Sequence, residues 1–215
     1  MKTDDLVSLL STDAETVDSG VPARRYLLAL AGGMLVALIL TAGFLRLNPA
    51  LWRETSEPMF WVRETYCAVL GVLGFVAVVR LARPGLRLGL APAGIAVALI
   101  AMWALAGVTL VAAPPQNRAQ LIFGHMAMSA ECPFRIALAA APLFIAFIWA
   151  VRSLAPTRLR LTGAACGFAA GSIGALVYSL YCPELAAPFL GTWYVLGMLI
   201  PTTLGACLGS RLLRW

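Results

Sequence analysis

Long, nearly uninterrupted runs of apolar residues dominate the chain, and short polar stretches separate them. A helix needs about 20 mostly apolar residues to cross the hydrocarbon core of a bilayer. Six runs have about this length and predict six spanning helices, at residues 26–45, 60–79, 90–113, 134–151, 161–181 and 185–210. Strands of a membrane barrel alternate between polar and apolar residues, and these runs do not alternate. The pattern predicts an all-α, polytopic membrane protein with a six-transmembrane-helix bundle at residues 26–215, after a short N-terminal tail at residues 1–25.

Polar residues and prolines interrupt three of the six runs. Arg63 and Glu64 lie in the first turn of the second run, so this helix spans a membrane only if both side chains reach the interface. Pro142 and Pro201 lie within the fourth and sixth runs. A proline kink is tolerated in a membrane helix when neighbouring groups satisfy the freed carbonyl.

The composition supports a membrane protein and excludes two other classes. Apolar residues make up 61% of the 215 residues and charged residues only 12%, and the mean hydropathy is +0.87. A soluble domain is about 45–50% apolar and about 25% charged. We therefore exclude a soluble globular enzyme and a disordered chain.

The basic residues sort by loop and predict an orientation. Eleven of the 16 Lys and Arg residues lie in the N-terminal tail, in the loops that follow the second and fourth runs, or at the C-terminus. Because cytoplasmic segments carry the excess of Lys and Arg, both termini are predicted to be cytoplasmic. The formal net charge of +6 is then a topology signal, and we expect no direct binding of nucleic acid.

The acidic residues argue against a transport function. Five lie in the first 23 residues, and the other five lie in segments predicted to be on the outer side. A proton- or cation-coupled transporter usually needs an ionisable group near the bilayer midplane. The sequence places none deep within a predicted span, although small residues and backbone carbonyls can still line a pore.

The N-terminal tail has the pattern of a short amphipathic helix. Asp4 and Asp5 favour a helix N-terminus, and Leu6, Leu9 and Leu10 share one face at i, i+3 and i+4. A helix on the membrane surface usually carries basic residues, whereas residues 1–23 have a formal charge of −4. We therefore favour a segment that folds on a protein partner with an apolar groove and a basic surface.

Two cysteines, Cys132 and Cys182, lie at the predicted outer ends of the fourth and fifth spans, and each is followed by proline. Three interpretations remain open. They can be unpaired packing residues, they can form a disulfide in an oxidising compartment, or they can bind a soft metal ion as thiolates. The residues that could assist them are Glu131, Glu184, Cys67 and His125.

No catalytic constellation is present in the sequence, so we expect no enzymatic activity. A Ser/His/Asp set, a glycine-rich phosphate loop and a metalloprotease helix are absent. The absence of a Cys-x-x-Cys motif argues against a membrane thiol-redox protein. A small-solute or metal transporter and a thiol-redox protein remain the alternative functions.

Glycines recur four residues apart in the last two spans, at Gly163, Gly167 and Gly171 and at Gly205 and Gly209. This spacing lets helix backbones approach closely in a membrane. We interpret it as packing within the bundle and not as a dimer face.

Several short motifs together resemble the membrane-bound anti-sigma factors called negative regulator of sigma F (NrsF). The resemblance covers essentially the whole chain. Its carriers are the start Met1-Lys-Thr-Asp-Asp-Leu6, the pair Arg24–Arg25, the turn Glu131-Cys-Pro133, Ala155-Pro-Thr-Arg-Leu-Arg160, Tyr181-Cys-Pro-Glu184 and the end Leu213-Arg-Trp215.

The resemblance implies a six-helix protein of the bacterial inner membrane, whose tail holds an extracytoplasmic-function sigma factor away from RNA polymerase. The family's two outer cysteines map onto Cys132 and Cys182, which implies sensing of heavy metals such as cadmium or chromium species. It implies no permanent cofactor, only a transient heavy-metal ion at these thiols. A histidine often precedes the second cysteine in the family, whereas Tyr181 occupies that position here.

Overall fold

The described part of the chain is helical and contains no strand, which confirms the all-α prediction. The computed structural model describes residues 20–40, 43, 51–83, 85–124, 126–152, 154 and 156–214. The helices are α1 (Gly20–Leu40), α2 (Leu51–Glu54), α3 (Pro58–Ala82), α4 (Ala91–Ala112), α5 (Pro115–Phe123), α6 (Met126–Arg152), α7 (Leu159–Ser179) and α8 (Ala187–Leu212). Helix α8 is α-helical at Ala187–Phe189 and Val195–Leu212, with a π-helical turn at Leu190–Tyr194 between them.

Within the described residues, five helices are long and apolar enough to cross a membrane. They are α3, α4, the Ala130–Arg152 part of α6, α7 and α8. In α1 the apolar helix is the shorter stretch Leu30–Leu40, and most of residues 41–50 lie outside the described part of the chain. The structure thus supports five of the six predicted spans, and the first one remains a prediction.

Helix α7 is the centre of the bundle and packs against α3, α6 and α8, while α1 packs on α6 and α4 on α3. It is the most buried of the five candidate spans, and α4 is the least buried. Yet α4 is the more apolar of these two helices. A more apolar helix at the outside is expected where lipid surrounds the bundle, because the exposed side chains must then be apolar. The central helix needs small side chains so that its neighbours can pack closely against it.

Close backbone contact between α7 and α8 explains the glycine spacing. A Cβ atom added to Gly163 would lie 2.1 Å from the carbonyl oxygen of Gly205, and one added to Gly167 would lie 2.0 Å from that of Pro201. On α3, a Cβ atom added to Gly74 would lie 3.0 Å from the Cα atom of Ala169. The prediction that the glycines pack the bundle internally is confirmed.

The start of α6 differs from the expectation. Glu131, Cys132 and Pro133 were expected to form a turn before the fourth span, but they lie inside α6, which begins at Met126. Pro133, like Pro142, lies in the interior of α6 and removes one intrahelical hydrogen bond. Such prolines are tolerated in membrane helices when neighbouring groups satisfy the freed carbonyl. The i,i+4 ion pair between Glu131 and Arg135 further stabilises this helical end.

Candidate functional site

Cys132 and Cys182 meet at one end of the bundle, which we call the thiol end. Cys132 lies on α6 and Cys182 lies in the loop between α7 and α8, at residues 180–186, which we call the thiol loop. Both side chains are free thiols with no exposed surface, and they belong to one hydrophobic cluster. They lie close enough to interact electrostatically. Two thiols that are 50 residues apart in the sequence therefore lie in one buried cluster.

A third thiol, that of Cys67 on α3, lies in the same cluster and is also fully buried. Cys166 belongs to the other hydrophobic cluster of the bundle, and Cys207 is exposed. In the part of the chain that the structure describes, no group of three or more His, Cys, Asp or Glu side chains is arranged to hold a metal ion. The chemistry available at rest is thus that of a thiol pair with a third thiol nearby.

The two glutamates that were expected to assist the thiols have other contacts. The carboxylate of Glu131 pairs with Arg135. The carboxylate of Glu184 lies beside Gly124, which adopts a positive φ of 57° and has no side chain in the way. His125 and the tail residues Asp4, Asp5, Leu6, Leu9 and Leu10 lie outside the described residues.

Two tyrosines, Tyr178 and Tyr194, pack against the thiols. The Tyr178 hydroxyl lies next to the thiols of Cys132 and Cys182, and Tyr194 lies next to Cys182. The centres of the two rings are 5.9 Å apart. Within the described residues neither hydroxyl completes a well-formed hydrogen bond. Each hydroxyl can therefore turn towards a thiolate or an ion when the thiols react.

Burial keeps the thiol of Cys182 in its neutral form at rest. It raises the pKa of this thiol above its ordinary value, although the backbone N–H of Glu184, the Tyr194 hydroxyl and the charge of Arg63 act in the opposite direction. A soft metal ion binds the thiolate and therefore has to displace the proton. A species that reacts with Cys182 must therefore bind the thiolate strongly enough to displace its proton.

Arg63 joins the thiol loop to α3 and is fully buried. Its Nη1 donates to the carbonyl oxygen of Cys182 at 2.7 Å and to that of Glu184 at 3.3 Å. Its Nε donates to Oε1 of Glu64 at 3.2 Å, and Oε2 of Glu54 lies 3.9 Å from its Nη2. Two carbonyls and two carboxylates therefore surround the guanidinium inside the bundle, so the charge of Arg63 is directed into the protein.

The partner of Arg63, Glu64, connects the same group to α7. The Ser179 hydroxyl donates to Oε2 of Glu64 at 3.0 Å and to the carbonyl oxygen of Leu176 at 2.6 Å. Glu64 is half-buried. The two charged residues at the start of the second predicted span thus pair with each other within the protein.

A second arginine supports the other side of the thiol loop. Arg135 donates to the Tyr181 hydroxyl and to the Glu131 carboxylate. Its guanidinium lies 5.1 Å from the centre of the Tyr181 ring. These contacts hold Tyr181, the residue before Cys182, against α6.

Sequence reasoning missed three parts of this site: Arg63, Tyr178 and Tyr194. The sequence pattern assigned no role in this site to the two tyrosines, and Arg63 was treated only as a charge that interrupts the second span. A signal was present for Arg63, since a charged residue within an apolar span usually faces the bundle interior and has a partner. No comparable signal distinguishes a tyrosine beside a thiol from one at the interface.

The chain is similar to known proteins over its full length. Residues 10–215 match the family model described as "Negative regulator of sigma F". The chain is 42% identical to the probable anti-sigma-F factor NrsF of Azospira oryzae over the full length of both chains. It is 37% identical to the anti-sigma-F factor NrsF of Caulobacter vibrioides, again over the full length of both. No solved structure matches the chain.

Proposed function

The chain belongs to the family of negative regulators of sigma F, and from this premise we propose that it holds an extracytoplasmic-function sigma factor at the bacterial inner membrane and releases it when Cys132 and Cys182 react. As an anti-sigma factor it is a regulatory protein and not an enzyme. The sigma factor is bound by the acidic tail, and contact with DNA belongs to that partner.

One observation carries the sensing part of the proposal: two free thiols from different elements are buried side by side between Tyr178 and Tyr194. A thiol pair of this kind has two reactions. A soft cation such as cadmium binds both sulfurs as thiolates and releases two protons. Alternatively, an oxidant such as a chromium(VI) species accepts two electrons while the thiols lose two protons and form a disulfide.

Either reaction changes the distance between α6 and the thiol loop. The free thiols share one hydrophobic cluster without a bond between them, whereas a shared ion or a disulfide imposes its own geometry. Such an event shifts the protein between two states only by its differential affinity for them, and coupling between sites is commonly about 1–3 kcal/mol. We propose that the shifted state lowers the affinity of the tail for the sigma factor.

The experiment replaces Cys132 and Cys182 by serine, singly and together, and measures a sigma-dependent promoter with and without cadmium or dichromate. We expect the wild type to respond by roughly 5- to 150-fold, the range of typical coupling energies, and the double variant not to respond. Serine keeps the side-chain shape but lacks the soft sulfur.

The chain offers two matched controls. Cys166→Ser alters a buried thiol in the other hydrophobic cluster, and Cys207→Ser alters an exposed one. Both should retain the full response. If the double variant at Cys132 and Cys182 still responds as the wild type does, the thiol pair is not the sensor.

A further inference from the structure

We propose that Arg63 acts as a latch: it is the positioning residue that fixes the thiol loop to α3 and keeps Cys182 closed against Cys132 until the thiols react. The proposal concerns how the site is held and released. Its structural claim, that Arg63 controls access to Cys182, is independent of any signal, while its consequence for transcription rests on the function proposed above.

The first step of the argument is the kind of contact. Arg63 bonds the loop through two backbone carbonyls, those of Cys182 and Glu184. These flank Pro183 and therefore fix the path of the chain through the cysteine itself. Both acceptors are backbone atoms, so while the buried Arg63 side chain stays in place these bonds can be lost only if the backbone of the loop moves. The position of the Cys182 thiol is thus coupled directly to the guanidinium.

The second step is electrostatic. Arg63 has no exposed surface, and a buried guanidinium needs nearly all of its partners. Glu64 at 3.2 Å and Glu54 at 3.9 Å supply the countercharge, and Phe60 covers the group with its ring centre 5.2 Å away. If the loop leaves, the guanidinium loses two of its hydrogen-bond acceptors. The closed loop and the buried charge therefore stabilise each other.

The third step is mechanical. Arg63 is part of α3, one turn before Cys67, and α3 packs closely on α7 further along, with Gly71 against Ile173 and Gly74 against Ala169. A reaction that changes the spacing of Cys182 and Cys132 moves the thiol loop, and it must then break the bond from Arg63 to the Cys182 carbonyl or move the start of α3. The latch is thus the point at which a change at the thiols reaches a helix that runs the length of the bundle.

The test compares the access of reagent to Cys182 in the full-length protein in membrane vesicles without any inducer. Alkylation by N-ethylmaleimide is followed over time, and mass spectrometry identifies the peptide that contains Cys182. Because labelling of a buried thiol tracks the population of the open form, we expect Arg63→Met to be labelled about tenfold faster than the wild type. Arg63→Lys, which retains the charge and part of the donor capacity, should restore slow labelling at least in part.

Arg118→Met is the matched control. Arg118 also donates to a backbone carbonyl, that of Ala113 at 3.2 Å, but it is exposed and does not touch the thiol loop. Its substitution should leave the labelling rate of Cys182 unchanged. Glu64→Gln is the second test variant, because it keeps Arg63 and removes one countercharge. It should accelerate labelling less than Arg63→Met does.

The outcomes separate the latch from the signal. Wild-type labelling of Cys182 in inserted Arg63→Met protein overturns the latch. If that variant does not accumulate, Glu64→Gln decides, and wild-type labelling there overturns the latch as well. In the same strains, Arg63→Met should raise sigma-dependent transcription without inducer. Fast labelling with unchanged transcription leaves the latch standing and refutes release of the sigma factor by the thiol loop.

Discussion

Replacing Gly167 by alanine is expected to destabilise the bundle strongly, although alanine is the better helix former. In an isolated helix the change from glycine to alanine is favourable by up to about 1 kcal/mol. Here the new methyl group would lie 2.0 Å from the carbonyl oxygen of Pro201 and 2.7 Å from the Cα atom of Thr202. Both are backbone atoms of α8, so neither can rotate away. Helices α7 and α8 must separate along their contact.

The expected cost exceeds the usual penalty for overpacking, which is about 1–3 kcal/mol. It is measured as the loss of folded protein in detergent, by thermal unfolding and by the fraction that elutes as a single species. Gly107→Ala on α4 is the matched control, since no atom lies within 4 Å of the added methyl group. It should be neutral or stabilising. Equal stability of the two variants would show that α7 and α8 do not pack as described.

Loss of sigma-factor capture is the second large effect that we expect, in the variants Leu6→Asp and Leu9→Asp. Both leucines lie on the predicted apolar face of the tail with Leu10. The isolated helix is too short to be stable in water, so most of its stabilisation has to come from burial of this face on the partner. A buried, unpaired carboxylate in place of a leucine should reduce binding by at least about 100-fold, given that transfer of a charge into an apolar site is prohibitive.

The measurement is a pull-down of the sigma factor by the full-length protein, followed by a titration of the tail. Ser8→Asp is the matched control. It adds the same charge on the opposite side of the predicted helix and should retain binding. Capture that survives Leu6→Asp and Leu9→Asp together would exclude the leucine face as the binding surface.

The candidate site shows where sequence reasoning worked and where it stopped. The positive-inside pattern and the span lengths assigned Cys132 and Cys182 to the same face, and the structure brings the two thiols together. The partners of these thiols could not be read in the same way. Tyr178 is far from Cys132 in the sequence, and Arg63 is far from Cys182, so only the packing of α3, α6 and α7 brings each pair together.

The helical membrane class and the packing role of the glycines were determined by the sequence alone, because apolar run length and residue size are properties of each segment. The tertiary structure decided which helix lies in the centre and which polar residues face inward. The helices are apolar on nearly all sides, so their patterns do not specify an inner face as a soluble helix does. That choice depends on the close backbone approach of α7 and α8. It also depends on the contacts of Arg63 with two carbonyls of the thiol loop and with the carboxylates of Glu54 and Glu64.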